Sequence, residues 1–207
     1  MTELWRLTPE FFVLGGALLA LFIGLVTSDK SAAARSGAIF AIAGALAAGV
    51  VGQGGTLFGG MLAFDATSVF ARIAIPALAA VWLLWVSGRG TGPERSAEAA
   101  ALALFSALGG MLMVSARDLI VLYIALELST MPAYVLIGYR RGHAEGLEGA
   151  LKYFLLSMLT SLVLLYGLSF VYGLAGSTAY ADLALREGGP LGQVAFVFVL
   201  VGVFGIV

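Results

Sequence analysis

The chain contains no cysteine, one histidine and few charges: 11 Lys and Arg against 12 Asp and Glu in 207 residues. Without cysteine, thiol redox chemistry and cysteine-ligated iron–sulfur clusters are excluded within this chain. A net charge of −1 and the lack of a basic block give no reason to expect nucleic acid as a partner. Charged residues make up 11% of the sequence, where soluble domains carry about 25%. What fills their place is apolar: hydrophobic residues reach 61% and the mean hydropathy is +1.03. Such a chain has lipid as its solvent.

A spanning helix needs about 20 mostly apolar residues. Six such runs are legible, at about 9–27, 32–52, 67–87, 97–115, 119–139 and 147–174, and a seventh begins at 191–207. The expected fold is all-α, a polytopic transmembrane helical bundle forming a single domain over 1–207. The first run is too long for a secretory leader and lacks a basic flank and cleavage site, so it reads as a retained span. The connections are short and carry turn chemistry, as in Gly88-Arg89-Gly90-Thr91-Gly92-Pro93. They leave no extramembrane domain to host a cofactor. The longer insert at 52–65 reads as a small hairpin or a surface loop.

Orientation follows from Lys and Arg in alternate loops. Loops after the first, third and fifth spans hold Lys30, Arg35, Arg89, Arg95, Arg140 and Arg141. The other side holds Arg6, Arg117 and Arg186, with Arg72 just inside the third span. The first group should face the cytoplasm, which predicts a periplasmic amino terminus.

Glu127 lies near the centre of the fifth run, and a carboxylate at that depth costs several kcal/mol, which marks it as a functional candidate. Asp118 and Arg140 bracket it at roughly 13 and 19 Å along the helix axis, too far for so short a side chain to reach water by snorkelling. Tyr123, Glu127, Thr130 and Tyr134 recur at helical spacing, so they form one polar stripe that must face protein or water. Pro132 has no N–H for the Leu128 carbonyl and loosens the helix beside Glu127, although such prolines are also common packing kinks.

The sixth run holds a second ionisable group, Lys152, about two turns from its basic end, where it serves either as a buried functional group or as a snorkelling anchor. Glu145, Glu148 and Lys152 share a face, with Glu148 and Lys152 in the favourable order for an i, i+4 pair. Ser157 and Ser161 form a small-xxx-small step, with Thr160 alongside, and read as packing. His143, in the basic turn, can titrate near neutrality and is a candidate relay with Glu148. Asp65 and Arg72 flank the start of the third span as an interfacial pair or anchor. Burial favours the neutral forms of Glu127 and Lys152 while mutual attraction favours the charged ones, so separating or joining such a pair loads or releases a proton.

At these residues the chain resembles a known family. The segment Leu122-Tyr123-Ile124-Ala125-Leu126-Glu127-Leu128-Ser129-Thr130-Met131-Pro132-Ala133-Tyr134-Val135-Leu136 is followed by Glu148-Gly149-Ala150-Leu151-Lys152-Tyr153-Phe154-Leu155-Leu156-Ser157. Further on come Tyr166-Gly167 and Tyr172-Gly173-Leu174-Ala175-Gly176-Ser177, and Gly60-Met61-Leu62-Ala63-Phe64-Asp65 precedes the third span. Together these blocks resemble subunit N of bacterial NADH:quinone oxidoreductase, respiratory complex I. The related subunits L and M and the Mrp-type cation/proton antiporter subunits share the glutamate but usually carry Trp before it, whereas Leu126 stands here.

The resemblance implies a proton-translocating membrane-arm subunit with no redox centre of its own, acting in NADH oxidation by quinone. NADH, FMN, iron–sulfur clusters and quinone would then belong to other subunits; the partners would be membrane-arm neighbours, the lipid bilayer and protons, in a bacterial inner membrane. It assigns Glu127 to an ion-pair switch and Lys152 to a hydrated central axis. It implies two inverted five-helix repeats, the first opening near residue 97 and incomplete here, in a common transporter design. Because the sequence stops inside the seventh span, it is expected to be an amino-terminal fragment that does not pump by itself. The alternatives are a Mrp-type antiporter subunit and a non-transporting membrane scaffold.

Overall fold

A computed structural model describes residues 3–27, 30–88, 96–139, 144–183 and 189–206. Among the described residues seven α-helices overlap the expected runs: α1 Thr8–Val26, α2 Lys30–Val51, α3 Ala66–Gly88, α4 Ser96–Ser115, α5 Leu119–Ile137, α6 Ala144–Ala175 and α7 Gly189–Ile206. The first six are long and apolar enough to cross a membrane; the last is a shorter apolar helix.

Small residues explain how closely the first four helices pack. Burying an apolar side chain gains little against lipid tails, so helices associate where short side chains let backbones approach. On α2, Ala34, Ala38, Ala41, Ala45 and Ala48 are all buried, and the first three cluster with Ala97, Ala100, Ala101 and Leu104 of α4, Val13 and Ala17 of α1 and Leu83 of α3. α5 lies against α4 at Gly109, where an added Cβ would come within 2.7 Å of the Ala125 carbonyl oxygen and closer still to the Ser129 nitrogen. Ser106 of α4 donates to the Ser129 carbonyl at 2.8 Å, fastening the two helices in the turn before Pro132. A second cluster joins α5, α6 and α7 through Leu119, Leu126, Leu164, Leu168, Val171 and Ala195.

One end of the bundle is stitched by extended backbone. The 52–65 insert resolves as a hairpin, with β1 Thr56–Leu57 antiparallel to β2 Leu62–Ala63. Phe58, Gly59 and Gly60 all have positive φ (53°, 67° and 96°), a run of left-handed residues that only a glycine-rich turn accepts readily. Leu62 bridges to Ala116, and Asp118 bridges to Ala179, so the hairpin, the α4–α5 connection and the segment after α6 meet there. Asp118 caps α5 by accepting from the Ile120 and Val121 N–H groups, while its other oxygen accepts from Thr178 Oγ1 at 2.6 Å.

Candidate functional site

The polar stripe of α5 faces α6. Glu127 is half-buried, and its Oε1 accepts a hydrogen bond from Ser161 Oγ of α6. The Tyr123 hydroxyl lies 3.1 Å from the same serine oxygen. Serine has one proton for these two contacts, so at any moment it donates to only one of Glu127 and Tyr123. Toward the basic end, Tyr134 and Ser157 share a further hydroxyl–hydroxyl bond. Thr130 bonds back onto its own helix, donating to the Leu126 carbonyl at 3.0 Å.

Ser157 and Ser161, read from the sequence as packing residues, also bond polar groups of α5. Both are buried, at 7% and 4% exposure, on a helix whose surrounding large side chains are mostly exposed, and both are spent on polar partners from α5. Their four-residue spacing was visible in the sequence, but it signals close approach whether the contact is dry or hydrogen-bonded. On the far side of Glu127 the interface becomes apolar, closed by Leu119, Leu126, Leu164, Leu168 and Val171.

Lys152 does not meet Glu127 here. Its ammonium pairs with Glu148 Oε1 at 2.5 Å on the same face of α6, in the expected i, i+4 order, and both side chains are exposed. Lys152 stands nine residues before Ser161, about 14 Å along the helix. His143, Arg140 and Arg141 fall outside the described residues, as do Arg89, Arg95 and Arg186.

The expected pairing of Asp65 with Arg72 is replaced by two other pairs. Asp65 stands just before α3, accepts from the Ser68 N–H at 2.8 Å and pairs with Arg117. The Ser68 hydrogen bond, aided by the Arg117 charge and opposed by partial desolvation, holds the Asp65 carboxyl below its ordinary value of 3.8. Arg72, two turns deeper, points to α1 and forms a two-point pair with Glu10: Nε to Oε1 at 2.6 Å and Nη2 to Oε2 at 2.7 Å. Arg72 is fully buried and Glu10 nearly so, and the guanidinium also lies 4.4 Å from the Phe64 ring centroid. Sequence reasoning missed Glu10 because its partner is 62 residues away; an acidic residue just inside the first apolar run was the available signal. In the stitched end, burial raises the Tyr180 phenol above its ordinary value, with the Arg117 charge opposing and Asp118 adding to the rise. Among the described residues, no group of three or more His, Asp or Glu side chains is placed to hold a metal.

Six helices long and apolar enough to cross a membrane, packed through small residues and with a carboxylate bonded across two of them by a serine hydroxyl, define a multi-pass helical membrane protein. Residues 116–206 match the family described as NADH:quinone oxidoreductase/Mrp antiporter, TM. Over nearly its whole length the chain matches the NADH-quinone oxidoreductase subunit N family: it is 38% identical over 206 residues to that subunit of Sphingopyxis alaskensis and 39% over 211 residues to that of Rhizorhabdus wittichii. These alignments take in 97% and 98% of this chain, and 43% and 44% of the relatives. The fold is similar to a chain of respiratory complex I from Thermus thermophilus, solved with bound aureothin, at a TM-score of 0.75 and 29% identity, covering 95% of this chain and 43% of that one. The chain thus spans less than half the length of the relatives it matches.

Proposed function

We propose that this chain forms part of a membrane-arm subunit of an NADH:quinone oxidoreductase and takes part in proton translocation, with Glu127 as the protonatable group within the bilayer. The observation that carries this reading is the setting of Glu127: a carboxylate near the middle of a spanning helix, half-buried, hydrogen-bonded across to α6 by Ser161. A group that is costly to keep charged at that depth is suited to taking up and giving back a proton as its surroundings change. Lys152, paired with Glu148 and well separated from Ser161, serves as a further station rather than the immediate partner of Glu127. The proposal includes a bacterial inner-membrane location with other membrane-arm subunits as neighbours, a periplasmic amino terminus, and an antiporter-like repeat opening near residue 97.

The test is Glu127→Gln in the assembled oxidoreductase, following NADH oxidation and proton movement into vesicles together. The proposal expects fewer protons per NADH in the Gln variant and partial recovery in Glu127→Asp; normal pumping by Glu127→Gln contradicts it. Sodium–proton exchange that runs without NADH oxidation would instead indicate the Mrp-type reading. The orientation is checked by single cysteines placed in the cysteine-free chain, with residue 54 labelled from the periplasm and residue 92 from the cytoplasm.

A further inference from the structure

We propose that Ser161 is a positioning residue for Glu127, a reversible hydroxyl that reports the protonation of the carboxylate to Tyr123. The inference rests on the reading of Glu127 as the protonatable group and deepens it by naming the residue through which that group acts. Two polar groups of α5 converge on one oxygen of α6: Ser161 Oγ bonds Glu127 Oε1 and lies 3.1 Å from the Tyr123 hydroxyl. Ser161 is 4% exposed, so water has little access to take over its bonds.

The donor count makes the arrangement two-state. With Glu127 ionised, the carboxylate can only accept, so Ser161 donates to it and Tyr123 donates to Ser161. When a proton arrives on Glu127, the new O–H bond turns the carboxyl into a donor toward Ser161 Oγ. The serine proton then points at the Tyr123 oxygen, and the tyrosine proton swings away. No covalent bond other than the carboxyl O–H changes, and the proton gained by Glu127 is the one later released. Two hydroxyl rotations thus carry the charge state of Glu127 one turn along α5 to Tyr123. The charged groups near this interface do not compete for the serine: Lys152 is held by Glu148 on α6, and Glu98 of α4 lies within reach of the Tyr139 hydroxyl at the end of α5.

The surroundings favour a positioning role over a passive contact. Leu119, Leu126, Leu164, Leu168 and Val171 close the interface on one side of the triad, and on the other side Tyr134 and Ser157 make their own hydroxyl pair. A single serine is therefore the α6 group bonded to the carboxylate among the described residues.

The test uses the assembled oxidoreductase carrying Ser161→Ala, Ser161→Thr, Tyr123→Phe or Glu127→Gln. Two quantities are read: the rate of proton movement during NADH oxidation, and the infrared carboxyl band that Glu127→Gln removes. Ser161→Ala should shift that band to higher frequency and slow proton movement by about tenfold, the scale of losing one hydrogen bond to a charged group. Ser161→Thr, which keeps the hydroxyl, should restore both, and Tyr123→Phe should shift the band less than Ser161→Ala. An unshifted band in Ser161→Ala, with assembly and pumping intact, overturns the role of Ser161. Pumping lost in Ser161→Ala with an unshifted band, and not restored by Thr, also overturns it and assigns the serine to packing. If Glu127→Gln itself pumps normally, the underlying reading of Glu127 fails instead.

Discussion

Removing one partner of the Glu10–Arg72 pair should be far more damaging than removing both. The two side chains are 7% and 0% exposed, joined by contacts of 2.6 and 2.7 Å, and sit between α1 and α3 where water cannot replace a lost partner. Taking away one member of such a pair leaves an uncompensated buried charge and costs about 3–5 kcal/mol, whereas exchanging both for apolar side chains of similar volume is often neutral or better. Glu10→Leu or Arg72→Met alone should therefore each cost about 3–5 kcal/mol, and the double variant should recover most of that, leaving a coupling of several kcal/mol in the cycle. Reversible denaturation in mixed micelles measures the four stabilities, and the yield of assembled oxidoreductase reads the same order in the cell. Additive effects, with the double variant as unstable as the sum of the singles, would refute the reasoning. So would a single variant that costs less than about 1 kcal/mol, the range of an exposed pair.

Gly109→Ala should destabilise the α4–α5 contact by about 1–3 kcal/mol, because the new methyl meets the α5 backbone and that contact can be relieved only by moving a helix; the same denaturation series measures it. Asp65 binds its proton less readily in the fold than at its ordinary value of 3.8, so its contribution is present above about pH 3.8 and lost as the pH falls below it. Asp65→Asn should accordingly flatten the acid limb of stability against pH and leave the neutral region with the same slope; an unchanged acid limb would remove Asp65 from the account.

The spans were legible to within a few residues because lipid imposes a length and composition on every helix, and the α5 stripe was legible because its polar residues recur at helical spacing. Tyr123, Glu127 and Tyr134 meet serines of α6, where the spacing asked only for protein or water. What could not be read was the partner. Ser161 looks the same in sequence whether it packs or donates, and Glu10 meets Arg72 only after α1 and α3 are brought together across 62 residues. Proximity in sequence favoured Asp65 for Arg72, but the cap position of Asp65 turns its carboxylate toward Ser68 and Arg117 while Arg72 faces into the bundle. Lys152 shows the same limit from the other side: its local pairing with Glu148 followed from spacing, and its distance from Ser161 followed from the helix rise, but neither could say which groups surround it.

The central claim, that Glu127 gains and loses a proton as the enzyme works, is tested most directly by the infrared difference spectrum between resting and turning-over oxidoreductase. The account predicts a carboxyl band that appears during turnover in the wild type and is absent from Glu127→Gln. Identical difference spectra in the two proteins would contradict it.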